Sequence, residues 1–373
     1  MFKKYKNQDL DMTFWWKKHP KDPADYIKYI TEQIGKISSA ATIEGKKRAQ
    51  EDCSKYLMGT KCFILEEIEP KPTLEAMERL FEEIYKNEFF YHMLQNFSKL
   101  EFEARKEVMF LYSICLRHSK DNKYTTVDHL ILNPKTINVM LRSTDTGLLG
   151  QAPRDIFLLL GNMIIESVKY EQLCSIILKD PELWKFFEFG NLPDFEISTE
   201  SLQILTAVFT THPKLVSKEF FNNEYNISKF IEKINYLIYK GSYVTRRQIT
   251  KLLASLIIIR SNNTLMTEYI SSSDNLKLIM ILMSDKSKNL QLEAFNIFKV
   301  IVANPKKPKS VLDILIKNKV KLLNYFSTFG NANHDATFID EKDFIIQEIE
   351  SLPRLVFTPS EVSVISPSTA LSF

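Results

Sequence analysis

From Tyr243 to Pro305 the chain reads YVTRRQITKLLASLIIIRSNNTLMTEYISSSDNLKLIMILMSDKSKNLQLEAFNIFKVIVANP, one amphipathic helix after another. Apolar residues recur at helical spacing and stop only at short polar breaks. No part of the chain shows the sustained period-two alternation with a hairpin turn that a sheet requires. Short β-branched runs such as Leu256–Ile259 sit inside longer helical patterns, so they are read as buried helix faces. The fold class expected is therefore all-α.

The same pattern runs along most of the sequence. Asp22-Pro23 supplies a cap candidate and a proline for the first helical position. Tyr26, Ile27, Ile30, Ile34 and Ile37 then line one face. A second helix is predicted over 46–58, and Cys62–Pro72 reads as a connector. Thr73 caps a helix whose inner face carries Leu74, Met77, Leu80, Phe81, Ile84 and Tyr85. Further helices are predicted over 88–97, 101–118, 125–132, 134–142, 153–169, 171–179, 181–189, 198–211, 213–222, 226–239, 243–260, 264–270, 274–284, 288–303, 308–329 and 341–351.

Three apolar helices end alike, in VFTTHP, IIIRSN and VIVANP, at a spacing of roughly 45 residues, which suits armadillo or HEAT units. Such a unit cannot bury its own apolar face, so neighbours must stack, and an armadillo/HEAT-like right-handed α-superhelix is expected. An irregular helical globule is the competing architecture. The domain reading is a loose segment at 1–20, one helical repeat domain at 21–352 and a Ser/Thr/Pro-containing tail at 353–373.

Chemistry is hard to find. Nine glycines in 373 residues is sparse, and TGLLG, the one close pair, matches no dinucleotide or phosphate loop. The six histidines are scattered, without HExxH or a Cys partner at zinc spacing. No nucleophile elbow, kinase signature or EF-hand loop occurs, so neither an enzyme nor a cofactor is expected. Four dispersed cysteines, with Cys115 and Cys174 inside apolar runs, suit a reducing cytoplasm. No signal peptide or bilayer-length apolar run is read, so membrane insertion is not expected. A formal charge of +3 argues against wholesale nucleic-acid binding.

Binding features stand out more. Arg246 and Arg247 open a helix, where the macrodipole disfavours cations; they are either functional or paired with nearby carboxylates. Lys306-Lys307-Pro308-Lys309 reads as an interhelical loop rather than an import signal. Trp15-Trp16 read as a cap on the first helix or an aromatic anchor. Thr358-Pro359 and Ser366-Pro367 are common tail dipeptides.

The blocks YVTRRQITKLL, MTEYISSSDNLKLIM, LMSDKSKNLQLEAFNIFKVIVANP and VLDILIKNKVKLLNYFSTF closely resemble the mouse-protein-25 scaffold family, called hymA-like in fungi and calcium-binding protein 39 in animals. DPADYIKYI, RKEVMFLYSICLRH, ESVKYEQLCSIILKDPELWKFFEF and DEKDFIIQEIESL extend a weaker resemblance over roughly residues 20–352. The family implies an armadillo-like superhelix without catalytic activity that holds a Ste20/germinal-centre-type kinase or pseudokinase. In fungi that kinase belongs to a morphogenesis and polarity network controlling cell separation. A cytoplasmic protein enriched at sites of polarised growth or division is implied.

By the same resemblance, Phe195 and Arg247, with Arg246 beside it, match the concave face that meets the kinase N-lobe. Arg260 matches a basic position facing a third component, although Asn263 stands where the family has an aromatic residue. Met280 matches the centre of a C-terminal pocket for a Trp-Glu-Phe-like tail, a role that suits a flexible thioether. Lys277 and Lys317 are assigned to the tail's acidic groups. An armadillo-type adaptor for transport or RNA is the alternative; it calls for an asparagine ladder or basic stripe that the sequence does not display.

Overall fold

A computed structural model describes residues 20, 22–67, 71–144, 154–331 and 334–353. Trp15-Trp16, Gly147, Gly150 and the two tail dipeptides fall outside these residues. Every regular element described is helical, apart from one pair of backbone bonds between Lys120 and Lys123. No helix among the described residues is long and apolar enough to cross a membrane.

Two compact units divide at Glu182 and Leu183. The first holds α1 (Ala24–Ser39), α2 (Ile43–Ile64), α3 (Leu74–Lys86), α4 (Phe89–Gln95), α5 (Phe102–Arg117), α6 (Thr125–Leu132), α7 (Lys135–Ser143), α8 (Arg154–Val168) and α9 (Glu171–Lys179). The second holds α10 (Lys185–Phe189), α11 (Phe195–Thr210), α12 (Pro213–Glu219), α13 (Glu224–Lys240), α14 (Tyr243–Ile257), α15 (Asn263–Ile270), α16 (Ser273–Met283), α17 (Lys288–Ala303), α18 (Lys309–Lys317), α19 (Lys319–Thr328) and α20 (Ala336–Ser351). In each unit two helices lie between successive members of a row whose members pack on each other: α2, α5 and α8 in the first, α11, α14, α17 and α20 in the second. This is the armadillo-like repeat that the periodicity predicts.

In the first unit the row is parallel, as its cross-links show. Lys61 pairs with Glu107 at 2.6 Å and Arg105 with Asp155 at 3.3 Å. Farther along, Tyr112 Oη lies 2.7 Å from Ser167 Oγ, which itself donates to the Met163 carbonyl. Both hydroxyls are fully enclosed and need these partners, because a buried hydroxyl without one costs about 1–3 kcal/mol. Burial pushes the Tyr112 phenol well above its usual value. It does the same to Cys53, pushed up to about 12, so this thiol is a small hydrophobe rather than a nucleophile.

Two histidines in this unit stack on aromatic rings. His118 lies 4.0 Å from Phe81 and His129 lies 4.9 Å from Tyr85. Burial holds both imidazoles below their ordinary 6.5; Glu88 opposes the shift at His129 and Lys135 assists it. The unfolded chain therefore binds protons more readily, so their contribution is full above about pH 7 and is lost as pH falls through the folded values. Urea midpoints measured from pH 7.5 down to 5.5 should fall in the wild type and fall less in His118→Phe/His129→Phe. Parallel curves would refute this assignment.

The second unit is built around phenylalanine. Phe230 meets Phe187, Phe209 and Phe221 edge-on at ring separations of 5.8, 5.0 and 5.1 Å. Phe220 closes the cluster, 5.0 Å from Phe209. Here each long helix opens on a side-chain cap. Asp194 accepts from Glu196 and Ile197, Ser242 from Thr245, Ser287 from Leu290, and Asp335 from Phe338.

Several boundaries differ from the sequence expectation. The helix predicted over 46–58 runs from Ile43 to Ile64, so Cys62 is helical and buried rather than part of a connector. Asp194 starts α11 at Phe195 instead of 198, and Asp335 starts α20 at Ala336 instead of 341. The single helix over 308–329 is two, divided at Asn318. The Asn318 amide donates back to the Ile314 carbonyl at 2.9 Å while its own carbonyl accepts from Leu322. Asparagine competes with the helical ladder in this way. The helices over 125–132, 171–179 and 288–303 coincide with expectation.

Candidate protein-docking surface

The capped starts of α11, α14 and α17 lie side by side. Thr245 Oγ1 donates to the Gly190 carbonyl at 3.1 Å, tying the first turn of α14 to the turn before α11. Ser287 donates to the Tyr243 hydroxyl at 3.1 Å, which joins the starts of α14 and α17. Asp194 thus fixes Phe195 as the first helical residue of α11, 64% exposed although apolar.

The arginine pair divides its duties. Arg246 is half-buried: its Nη2 lies 3.0 Å from Asp285 and its Nε donates to the Ile238 carbonyl at 3.1 Å. This is the carboxylate pairing that the sequence left open, and it gives Arg246 a place inside the fold. Arg247 is exposed and has no carboxylate partner among the described residues. Its charge reaches Tyr243, whose phenol is drawn below its usual value by hydrogen bonds from Ser287 and Asn289 and then by Arg247. Phe195 at the start of α11, and Tyr243 and Arg247 in the first turns of α14, are thus exposed aromatic and cationic groups on neighbouring helices of the second unit. Tyr243 was missed from sequence. Its signal was the spacing to Arg246 and Arg247, three and four residues on, which shares one helix face.

Arg260 is exposed in the short 3-10 turn after α14. It lies beyond the end of α14 at Ile257, itself about 15 Å along the helix from Arg247. The structure therefore does not bring it to the helix start that carries Arg247. Asn263, three residues later, is exposed as the first residue of α15.

The second expected surface centres on α16. Met280 is fully enclosed, with 0% exposure, so in this conformation it is core rather than pocket wall. The neighbouring Ile281 is 54% exposed and is the apolar group that α16 presents to solvent there. Lys277 is exposed and pairs with Asp274 at 2.9 Å. Lys317 is exposed at the end of α18, which packs against α16, and has no carboxylate partner among the described residues. From Lys277 to Lys321 the sequence has ten lysines and three carboxylates; Lys277, Lys299 and Lys307 pair with Asp274, Glu341 and Glu348 outside that stretch, and the cations left in excess suit an anionic guest. Lys306 to Pro308 form the turn between α17 and α18, where Lys307 donates to the Asn304 carbonyl.

Among the described residues no group of three or more His, Cys, Asp or Glu is placed to hold a metal ion. Phe195, Arg247 and Ile281 are exposed on helices that open with side-chain caps.

Comparison with known proteins gives a consistent result. The sequence model of a family described as Mo25-like matches residues 14–353. Protein HYM1 of Saccharomyces cerevisiae is 63% identical over 364 residues, spanning 97% of this chain and 91% of that protein. The Mo25-like protein of Schizosaccharomyces pombe is 31% identical, spanning 91% of this chain and 100% of its own length. A human calcium-binding protein 39-like protein is 32% identical across 92% of this chain and 98% of that protein.

Proposed function

The chain belongs to the Mo25-like family, and on that footing we propose that it is a non-catalytic scaffold that binds and allosterically activates a Ste20/germinal-centre-type protein kinase. The observation that carries the reading is the exposure of Phe195 and Arg247 on neighbouring helices. Both are exposed at adjacent helix starts, and Arg247 has no carboxylate partner among the described residues. An exposed aromatic residue and an arginine without a carboxylate partner are the residue types of which binding hot spots are made. The polarity network, cell separation and a cytoplasmic setting belong to the same proposal and rest on the family resemblance.

The mechanism follows from what a kinase needs. Its αC glutamate must pair with the β3 lysine before phosphate transfer is efficient. A rigid face that binds only that state shifts the population toward it, by no more than its differential affinity for the two states. Capture of a Trp-Glu-Phe-like tail at the basic α16–α18 region would raise the effective concentration of the first contact.

The test is a purified germinal-centre kinase assayed with and without the protein. Phe195→Ala and Arg247→Ala should each weaken half-maximal stimulation at least tenfold, as truncating a hot spot does. Their urea midpoints should match wild type. Undiminished stimulation by the double variant refutes the reading.

A further inference from the structure

We propose that the outward face of α13 is a docking surface for an acidic amphipathic helix of a partner protein. One side of α13 is buried through Ile227, Phe230, Ile234, Leu237 and Ile238. The other side exposes Tyr225 at 67%, Tyr236 at 53% and Tyr239 at 68%. At 100° per residue these three rings fall within an arc of about 60°, so they form one stripe along a rod roughly 25 Å long. A single exposed tyrosine is ordinary. Three on one stripe, on a helix whose other apolar residues are buried except for the half-buried Ile231, is the residue type that interfaces favour.

Charge selects the occupant. Near one end of the stripe the Lys229 ammonium sits 4.4 Å from the Trp184 ring and 5.6 Å from the Tyr225 ring. At the other end the Lys240 ammonium sits 4.5 Å over Tyr239. Neither has a carboxylate partner among the described residues, whereas Lys233, on the flank, pairs with Glu188 at 3.2 Å. Aromatic rings hold an ammonium in place without neutralising it. The face thus offers two positioned cations, neither in an ion pair among the described residues, on residues about 16 Å apart by the rise over eleven helical positions. Glu232 lies between them and disfavours an acid at the centre of the guest. The matching partner is a helix with an acidic residue at each end of one face and apolar residues between. The stripe is carried by α13, whereas Phe195 and Arg247 are carried by the starts of α11 and α14, and its assignment does not depend on the kinase reading.

The test uses the full chain and a fluorescein-labelled helical peptide about fifteen residues long. The peptide carries glutamates eleven residues apart and leucines between them on one face. Anisotropy should show saturable binding that weakens as salt rises. Lys229→Ala/Lys240→Ala and Tyr236→Ser/Tyr239→Ser should each weaken it about tenfold, with urea midpoints unchanged and kinase stimulation at the wild-type level. A peptide with lysines in place of glutamates should not bind. The proposal is overturned by absence of saturable binding, by equal binding of the lysine peptide, or by affinity that neither double variant alters.

Discussion

Phe230→Ala lowers the stability of the second unit by about 3–5 kcal/mol, the range for deleting a fully enclosed phenylalanine. The side chain has no exposed surface and stands where four other rings converge. Truncation removes its own burial, about 1.5–3 kcal/mol. It also removes edge-to-face pairings worth about 0.5–1.5 kcal/mol each. Neighbouring rings cannot collapse into the void, because Phe209, Phe220 and Phe221 are already packed against one another. For a unit of this size the melting temperature should fall by about 6–20 °C. Phe230→Leu keeps most of the volume and should cost less than about 1.5 kcal/mol. Urea unfolding followed by far-UV circular dichroism checks both; equal midpoints for the two variants would disprove the packing argument.

Met280→Ala produces the second large effect, and it is one of stability before it is one of binding. A fully buried methionine replaced by alanine costs about 2–5 kcal/mol. Loss of tail binding in this variant would therefore mix damage to the core with damage to a surface. Lys317→Glu and Lys277→Glu separate the two, because both lysines are exposed. Each should stay within about 0.5 kcal/mol of wild type while weakening a synthetic peptide ending in Trp-Glu-Phe. Calorimetric titration beside urea midpoints reads both quantities. If Met280→Ala kept the wild-type midpoint, the thioether would not be core. If neither lysine reversal weakened the peptide, the basic end would not be its site.

These contrasts show which parts of the molecule were legible in the sequence. Helix existence was, because apolar spacing records which face is buried, and α6, α9 and α17 fall where that spacing puts them. Helix starts were less so. The caps Asp194 and Asp335 set the starts through side-chain bonds to the first turn, which a reading of hydrophobic period does not register. Asn318 was passed over because the apolar pattern continues on both sides of it. At the candidate surface the pattern marked Arg246 and Arg247 as a pair but could not say that Asp285 would claim one of them. That contact depends on α14 and α17 being neighbours in space. Met280 posed the same difficulty: the spacing makes it apolar and helical, and only packing decides whether it faces a guest or the core.

The capped starts of α11, α14, α17 and α20 have a further consequence. Each cap closes its helix with bonds made within a few residues, so where a rod begins is settled locally and owes little to the length of chain before it. The stretches between rods can gain or lose residues over evolution without moving the next starting point. Lineages could restyle those links to suit different clients while the phase of the long helices, and with it the separation of the groups they carry, is inherited unchanged.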